Sequence, residues 1–181
     1  MNIVEIKNTN ISIDTKNVLE AINFDLKKGE MKFLIGKTGS GKTTFINSIF
    51  GNLIPSKSEI FKVLDYDINN LNNKEIPFLR RKIGFVFQAF HLLPGVSAFD
   101  NVMVPLIYCN KTPKDAKERV ERALVRVGLE HRMNHTPGQL SGGEQQRVTI
   151  ARSLINDPKI IFENPKEKRT SDFVGKILKD K

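Results

Sequence analysis

Apolar and polar positions alternate loosely over the first 26 residues: Ile3, Val4, Ile6, then Ile11, Ile13, then Val18, Leu19, Ile22, Phe24 and Leu26. A period near two predicts short antiparallel strands, with Asn8-Thr9-Asn10 and Asp14-Thr15-Lys16-Asn17 as turns. Lys28-Gly29-Glu30 reads as a tight turn into Met31-Lys32-Phe33-Leu34-Ile35, a run expected to be a buried strand. The period then becomes helical. Phe45, Ile46, Ile49 and Phe50 mark one face of a short helix from Thr44, and Gly51 is placed to cap it.

Residues 52–79 are largely polar and read as a link. Ile83-Gly84-Phe85-Val86-Phe87 is a second apolar run, ending at Gln88. Residues 89–110 read as a loop and then a helix from about Ala98. Thr112-Pro113-Lys114-Asp115 is a helix start, with a capping threonine, proline in the first turn and an acid three residues after the cap. Val120, Leu124 and Val127 line one face of that helix, and Gly128 stops it. Another helix carries Val148, Ile150, Ala151, Leu154 and Ile155 and ends at Asp157-Pro158. Lys159-Ile160-Ile161-Phe162 reads as a third buried strand, and a charged tail follows.

The 181 residues are enough for one domain with its own core. Hydrophobic content of 39% and charged content of 27% are ordinary for a globular protein. No apolar run approaches the ~20 residues that span a bilayer. Met1-Asn2-Ile3-Val4-Glu5 lacks the order of a signal peptide. A single cysteine, Cys109, rules out an internal disulfide and suits a reducing compartment. The formal charge of +9 is spread rather than clustered, so a nucleic-acid partner is not expected.

Candidate chemistry begins at Gly36-Lys37-Thr38-Gly39-Ser40-Gly41-Lys42-Thr43, which fits the phosphate-binding pattern G-x-x-x-x-G-K-[ST] between an expected strand and an expected helix. Glycines let the backbone approach a polyphosphate, and its N–H groups form a nest for anionic oxygens. The helix that follows, beginning near Thr44, adds its positive end. Lys42 is placed to reach the β- and γ-phosphates, and the Thr43 hydroxyl is a hard oxygen suited to Mg²⁺.

A second motif is Leu140-Ser141-Gly142-Gly143-Glu144-Gln145-Gln146-Arg147. Locally, Ser141 and Glu144 form the capping box S-x-x-E. The whole run also matches L-S-G-G-E/Q-x-Q-R, the signature of ATP-binding cassette proteins, and residues 1–160 resemble that family's nucleotide-binding domain. The resemblance is greatest to the branch with the cell-division ATP-binding subunit and the lipoprotein-release and macrolide-export ATPases. It implies an α/β P-loop ATPase core with an antiparallel β-subdomain and an inserted helical subdomain. Residues 1–88 and 139–165 would form the core, 89–138 the helical subdomain and 166–181 a charged tail.

The resemblance further implies ATP and Mg²⁺ as cofactors, with Gly36 through Thr44 on the nucleotide and Thr43 and Gln88 on the metal. Leu140, Ser141, Gly142, Gly143, Glu144 and Gln145 would close over ATP held by a second copy, so the partners implied are a homodimer and an integral-membrane permease on the cytoplasmic face of the membrane. An adenine-stacking aromatic is expected in the first strand-turn region, yet residues 8–17 contain none.

The pattern departs at Ile160-Ile161-Phe162-Glu163-Asn164-Pro165, where the family has Asp-Glu-Pro. With Pro165 matched, Glu163 stands for the magnesium-ordering Asp and Asn164 for the catalytic Glu. Without a gap, Asn164 stands for the Asp and Pro165 for the Glu. Both registers lose the general base, since neither amide nor pyrrolidine accepts a proton. The family's switch histidine and last core strands have no counterpart through Lys181. The expected function is therefore an ATP-binding transporter subunit with impaired hydrolysis. A truncated or inactive remnant and a nucleic-acid-associated cassette ATPase are the alternatives.

Overall fold

The structure is a computed structural model, described here over residues 1–86, 90–107, 109 and 112–163. It divides into two units, residues 1–80 and 81–181.

The first unit is a four-stranded antiparallel sheet with order β2-β1-β3-β4: β1 Asn2–Ile13, β2 Lys16–Lys27, β3 Ile60–Val63 and β4 Tyr66–Asp67. The buried positions on β1 change parity along the strand, Val4 and Ile6 first, then Thr9 and Ile11. Since one extra residue moves side chains to the other face, the strand must bulge between them. It does so at Asn8, whose φ is 44°, and the register with β2 shifts between Ile6 and Thr9. The expected turn at Asn8-Thr9-Asn10 is thus an irregularity within one long strand. Asparagine side chains take up the ladder groups freed there: the Asn8 N–H donates to Asn23 Oδ1 at 3.1 Å, and the Ala21 N–H to Asn10 Oδ1 at 2.8 Å.

The supposed link 52–79 contains β3, whose Phe61 and Val63 are fully buried and pair with Ile6 and Val4. Four residues are too few to show a period, which is why the strand was illegible. The same stretch holds β4, a 3₁₀ turn at Ile68–Asn70 and the start of the short helix α2, Ile76–Arg81.

Helix α1, Lys42–Ile49, packs on β1 and β2 and buries Phe45 and Ile49. Phe45 meets Phe24 edge-on with ring centroids 5.1 Å apart. Its C-terminus closes as a Schellman motif: Gly51 N–H to Ser48 O at 3.0 Å and Asn52 N–H to Asn47 O at 2.9 Å, with Gly51 at φ 68°.

Residues 31–35 depart from expectation. They join no ladder among the described residues, and Met31, Phe33, Leu34 and Ile35 are exposed, Ile35 at 89%. Apolar composition marks a segment able to be buried, but burial in a sheet needs a neighbouring strand, and the sheet of this unit offers none to this run. Among the described residues, Lys32 ties this run down, through ion pairs to Asp25 and Glu30 and by lying 5.2 Å over the Phe24 ring.

The second unit holds a parallel pair, β5 Ile83–Val86 with β6 Ile160–Glu163, in register Ile83 to Ile160 and Val86 to Glu163. Its core lies among α3 Ala98–Ile107, α4 Pro113–Arg126 and α5 Gly142–Leu154, with Val102, Val120, Leu124, Leu129 and Val148 at most 1% exposed. Each such aliphatic side chain stabilises by about 1.5–3 kcal/mol relative to exposure. Helix α4 begins as expected: Thr112 Oγ1 accepts from the Asp115 N–H, and Pro113 is in the first turn. It also ends in a Schellman pair, Gly128 N–H to Val125 O at 2.9 Å and Leu129 N–H to Leu124 O at 3.0 Å.

Candidate functional site

The glycine-rich loop leads directly into α1. Gly41 is the N-cap in the left-handed region, φ 86° and ψ 9°, and supplies no side chain to the helix end. The first intrahelical bond runs from Phe45 N–H to Gly41 O at 2.8 Å, which leaves the N–H groups of Lys42, Thr43 and Thr44 ahead of the ladder. No acidic residue occupies the first turn to satisfy that positive end from within. The Thr43 side chain is exposed, whereas Thr44 is turned inward, so Thr44 offers a ligand its backbone rather than its hydroxyl.

The loop is tight where it must be. A Cβ on Gly36 would sit 2.6 Å from Ser40 Oγ, and one on Gly41 would sit 2.7 Å from Leu19 Cδ2. Lys37 and Ser40 close a turn through a 3.2 Å backbone bond, with Thr38 and Gly39 between them. Lys42 folds back across this turn, its Nζ donating to Gly36 O and Lys37 O, both at 2.8 Å. The loop therefore presents exposed backbone gathered around the Lys42 ammonium. Its donor set fits a polyphosphate, and the neighbouring Thr43 hydroxyl fits an oxygen-seeking divalent cation.

The second motif lies at the start of α5. Ser141 is the N-cap at φ −63° and ψ 159°. Its Oγ accepts from the Glu144 N–H at 3.3 Å and donates to Glu144 Oε2 at 2.8 Å, while its own N–H donates to the same Oε2 at 2.8 Å. These bonds from Ser141, backbone first and hydroxyl second, together with Arg132 and Arg147, hold the Glu144 carboxyl below the usual carboxylate range. Gln145 Nε2 donates to Pro137 O at 3.0 Å and Leu140 O at 3.1 Å, while Leu140 is buried. A Cβ added at Gly142 would meet nothing within 4 Å. The glycine pair is therefore not required by internal packing, and it leaves the helix N-terminus open to approach.

Sequence reasoning missed Arg132, whose Nε lies 3.2 Å from Glu144 Oε1 and whose Nη1 is 3.1 Å from His135 Nε2. It sits nine residues before Ser141 in a 3₁₀ turn, Glu130–Arg132, and no local pattern joins the two. The phosphate-type loop belongs to the first unit and the Ser141 motif to the second. The backbone of Glu163 ends β6 beside Val86, whereas Gln88 and Asn164 lie outside the described residues. Among the described residues no group of three or more His, Cys, Asp and Glu side chains is arranged to hold a metal.

A glycine-rich loop with its lysine at a helix N-terminus defines a P-loop nucleotide-binding protein. The ABC transporter family model matches residues 19–163, and the chain belongs to that family. It is 45% identical over 157 residues to the ABC transporter ATP-binding protein YknY of Bacillus subtilis, covering 86% of this chain and 68% of that protein. It is 44% identical to the cell division ATP-binding protein FtsE of Escherichia coli K12, over 81% of this chain and 66% of the relative. The lipoprotein-releasing system ATP-binding protein LolD of Idiomarina loihiensis is 43% identical, over 82% and 65%. The chain thus spans about two-thirds of the length of these relatives. A dimeric structure of the ATP-binding cassette MJ0796 bound to ADP and Pi superposes with a TM-score of 0.82 at 35% identity, over 98% of this chain and 82% of that one. The expected α/β ATPase-cassette fold is thereby established, down to the branch shared by the cell-division and lipoprotein-release proteins.

Proposed function

We propose that the chain is the ATP-binding subunit of a membrane transporter or transporter-like complex, in which two copies enclose ATP between the P-loop of one and the Ser141 motif of the other. The observation that carries this reading is the loop at residues 36–44: a left-handed glycine cap, three forward N–H groups with no acid in the helix's first turn, and Lys42, whose ammonium meets no carboxylate among the described residues. Polyphosphate would draw Lys42 from the carbonyls of Gly36 and Lys37 and take their place as its acceptor. The Thr43 hydroxyl would bind Mg²⁺, which supplies charge neutralisation on the phosphates. At the other face, Ser141 would redirect its hydroxyl from Glu144 to the γ-phosphate, with the N–H groups of Gly142 and Gly143 beside it.

The likeness to a dimeric cassette supports pairing with a second copy, and membership of the ABC transporter family supports pairing with a membrane permease, which would place the chain at the cytoplasmic face. Titration calorimetry with MgATP, followed by light scattering to read the dimer, tests the proposal. Lys42→Ala should abolish binding and Ser141→Arg should spare binding while abolishing the dimer. Wild-type protein that binds no MgATP refutes the reading.

A second reading concerns turnover. Asn164 follows Glu163 where the family's general base is expected, and an amide cannot accept the proton of an attacking water. The subunit would then bind and dimerise with little hydrolysis. Phosphate release at a rate typical of an active ATPase, unchanged by Asn164→Ala, would discard it.

A further inference from the structure

Phe90 and His91 are adjacent, are not glycines, and both lie in the left-handed region, with φ 33° and 47°. Two such residues in succession persist only where their surroundings over-determine them. Helix α5 provides this. Arg152 Nη2 donates to Phe90 O at 2.8 Å and Nη1 to His91 O at 2.8 Å, so one planar guanidinium spans two consecutive carbonyls. The hydroxyl of the fully buried Thr149, one turn earlier on the same helix, is shared between Phe90 O at 3.3 Å and Gln145 O at 3.1 Å. Beyond the turn, Leu93 is held on both sides by the buried Asn101 of α3, which accepts from its N–H at 2.8 Å and donates to its carbonyl at 3.1 Å. The clamp is thus on the helix that carries the Ser141 motif, and it grips the chain two residues after Gln88.

We propose that Arg152 is a positioning residue: by pinning the left-handed Phe90–His91 turn to α5, it makes that turn and the helix carrying Ser141 move as one body when nucleotide closes between two copies. This rests on the ATP-sandwich reading above. Burial of the guanidinium lowers its pKa, but an arginine keeps its charge and hence its donors.

The test compares wild type, Arg152→Lys, and Arg152→Lys with His91→Gly, all as the full chain. Lysine keeps the charge but cannot fork across two carbonyls, while glycine adopts the left-handed turn without a clamp. Without nucleotide, hydrogen exchange across residues 90–95 should be about ten-fold faster in Arg152→Lys, the size expected for losing one charge-assisted bond. MgATP affinity should stay within two-fold, roughly, because the P-loop is untouched. MgATP-dependent dimerisation should weaken about ten-fold and recover in the double variant.

Unchanged exchange overturns the clamp. Weakened dimerisation that His91→Gly does not restore makes Arg152 merely structural and overturns its positioning role. Failure of the ATP-sandwich reading is seen separately, as wild-type protein that forms no MgATP-dependent dimer, and the nucleotide-free exchange comparison still decides the clamp. If Arg152→Lys is too unstable to purify, Arg152→Gln, which cannot span both carbonyls either, takes its place, and unchanged exchange in that variant likewise overturns the clamp.

Discussion

Replacing Gly41 by alanine isolates what the loop's backbone shape contributes. At φ 86° an L-residue meets its own carbonyl, at a cost of about 1–2 kcal/mol. The new Cβ would also lie 2.7 Å from Leu19 Cδ2 and 3.4 Å from Val18 Cγ1. Leu19 is only half-buried and the atom struck is a terminal methyl, so the side chain can swing away; this adds about 1 kcal/mol. The sum, about 2–3 kcal/mol, corresponds to a roughly 30- to 150-fold loss of affinity if the observed loop is the binding conformation. Titration calorimetry with MgATP reads this, and thermal unfolding shows whether the unit remains intact. Adding Leu19→Ala should return the steric share and leave about a ten-fold deficit from the backbone alone. A Gly41→Ala protein that binds MgATP within two-fold of wild type would show that the left-handed cap is not the shape the nucleotide selects.

Other expectations follow from single residues. Leu124→Ala empties a fully buried site among α3, α4 and α5 and should cost about 2–5 kcal/mol in urea unfolding. Gly84→Ala drives a Cβ to 2.8 Å from the Ser153 carbonyl and 3.0 Å from Pro158 Cγ, so β5 must shift away from the end of α5; a loss of about 1–3 kcal/mol is expected by the same measurement. Because the folded Glu144 carboxyl is held below its ordinary range, its stabilisation is present above the unfolded pKa and is lost as pH falls through the folded one. Glu144→Gln should therefore flatten the acid limb of a stability-versus-pH curve while leaving the shape near neutrality. Ile35→Lys should change unfolding free energy by less than about 0.5 kcal/mol and reduce self-association in sedimentation. A loss of several kcal/mol there would mean that the segment is covered in solution.

Elements whose ends carry their own chemistry were legible from residues alone. Thr112 with Pro113, Ser141 with Glu144, and Gly51 and Gly128 fixed helix limits through bonds made within five residues. The apolar runs of β5 and β6 were also legible, because both sides of a parallel strand are apolar. What failed depended on partners distant in sequence. β3 is four residues recognised only by its pairing with β1, and the bulge at Asn8 is visible only when Thr9 is seen facing the same way as Ile6. Residues 31–35 had the composition of a core strand but have no neighbouring strand among the described residues to make them one. At the site, the two motifs were read in full, since glycine and lysine spacing is local. Arg132 and Arg152 were not, because each acts on groups nine or more residues away.

Lys42 has a consequence for selectivity. Its ammonium is already satisfied by two carbonyl oxygens of its own loop, so an incoming anion must compete with an intramolecular surrogate that is always at hand. A sparsely charged ligand gains little by that exchange, whereas several adjacent phosphates bring enough negative potential to win it and to engage the three helix amides at once. On the proposed nucleotide-binding reading, the resting contact would act as a threshold on charge density, favouring di- and triphosphates over the far more abundant small anions around them.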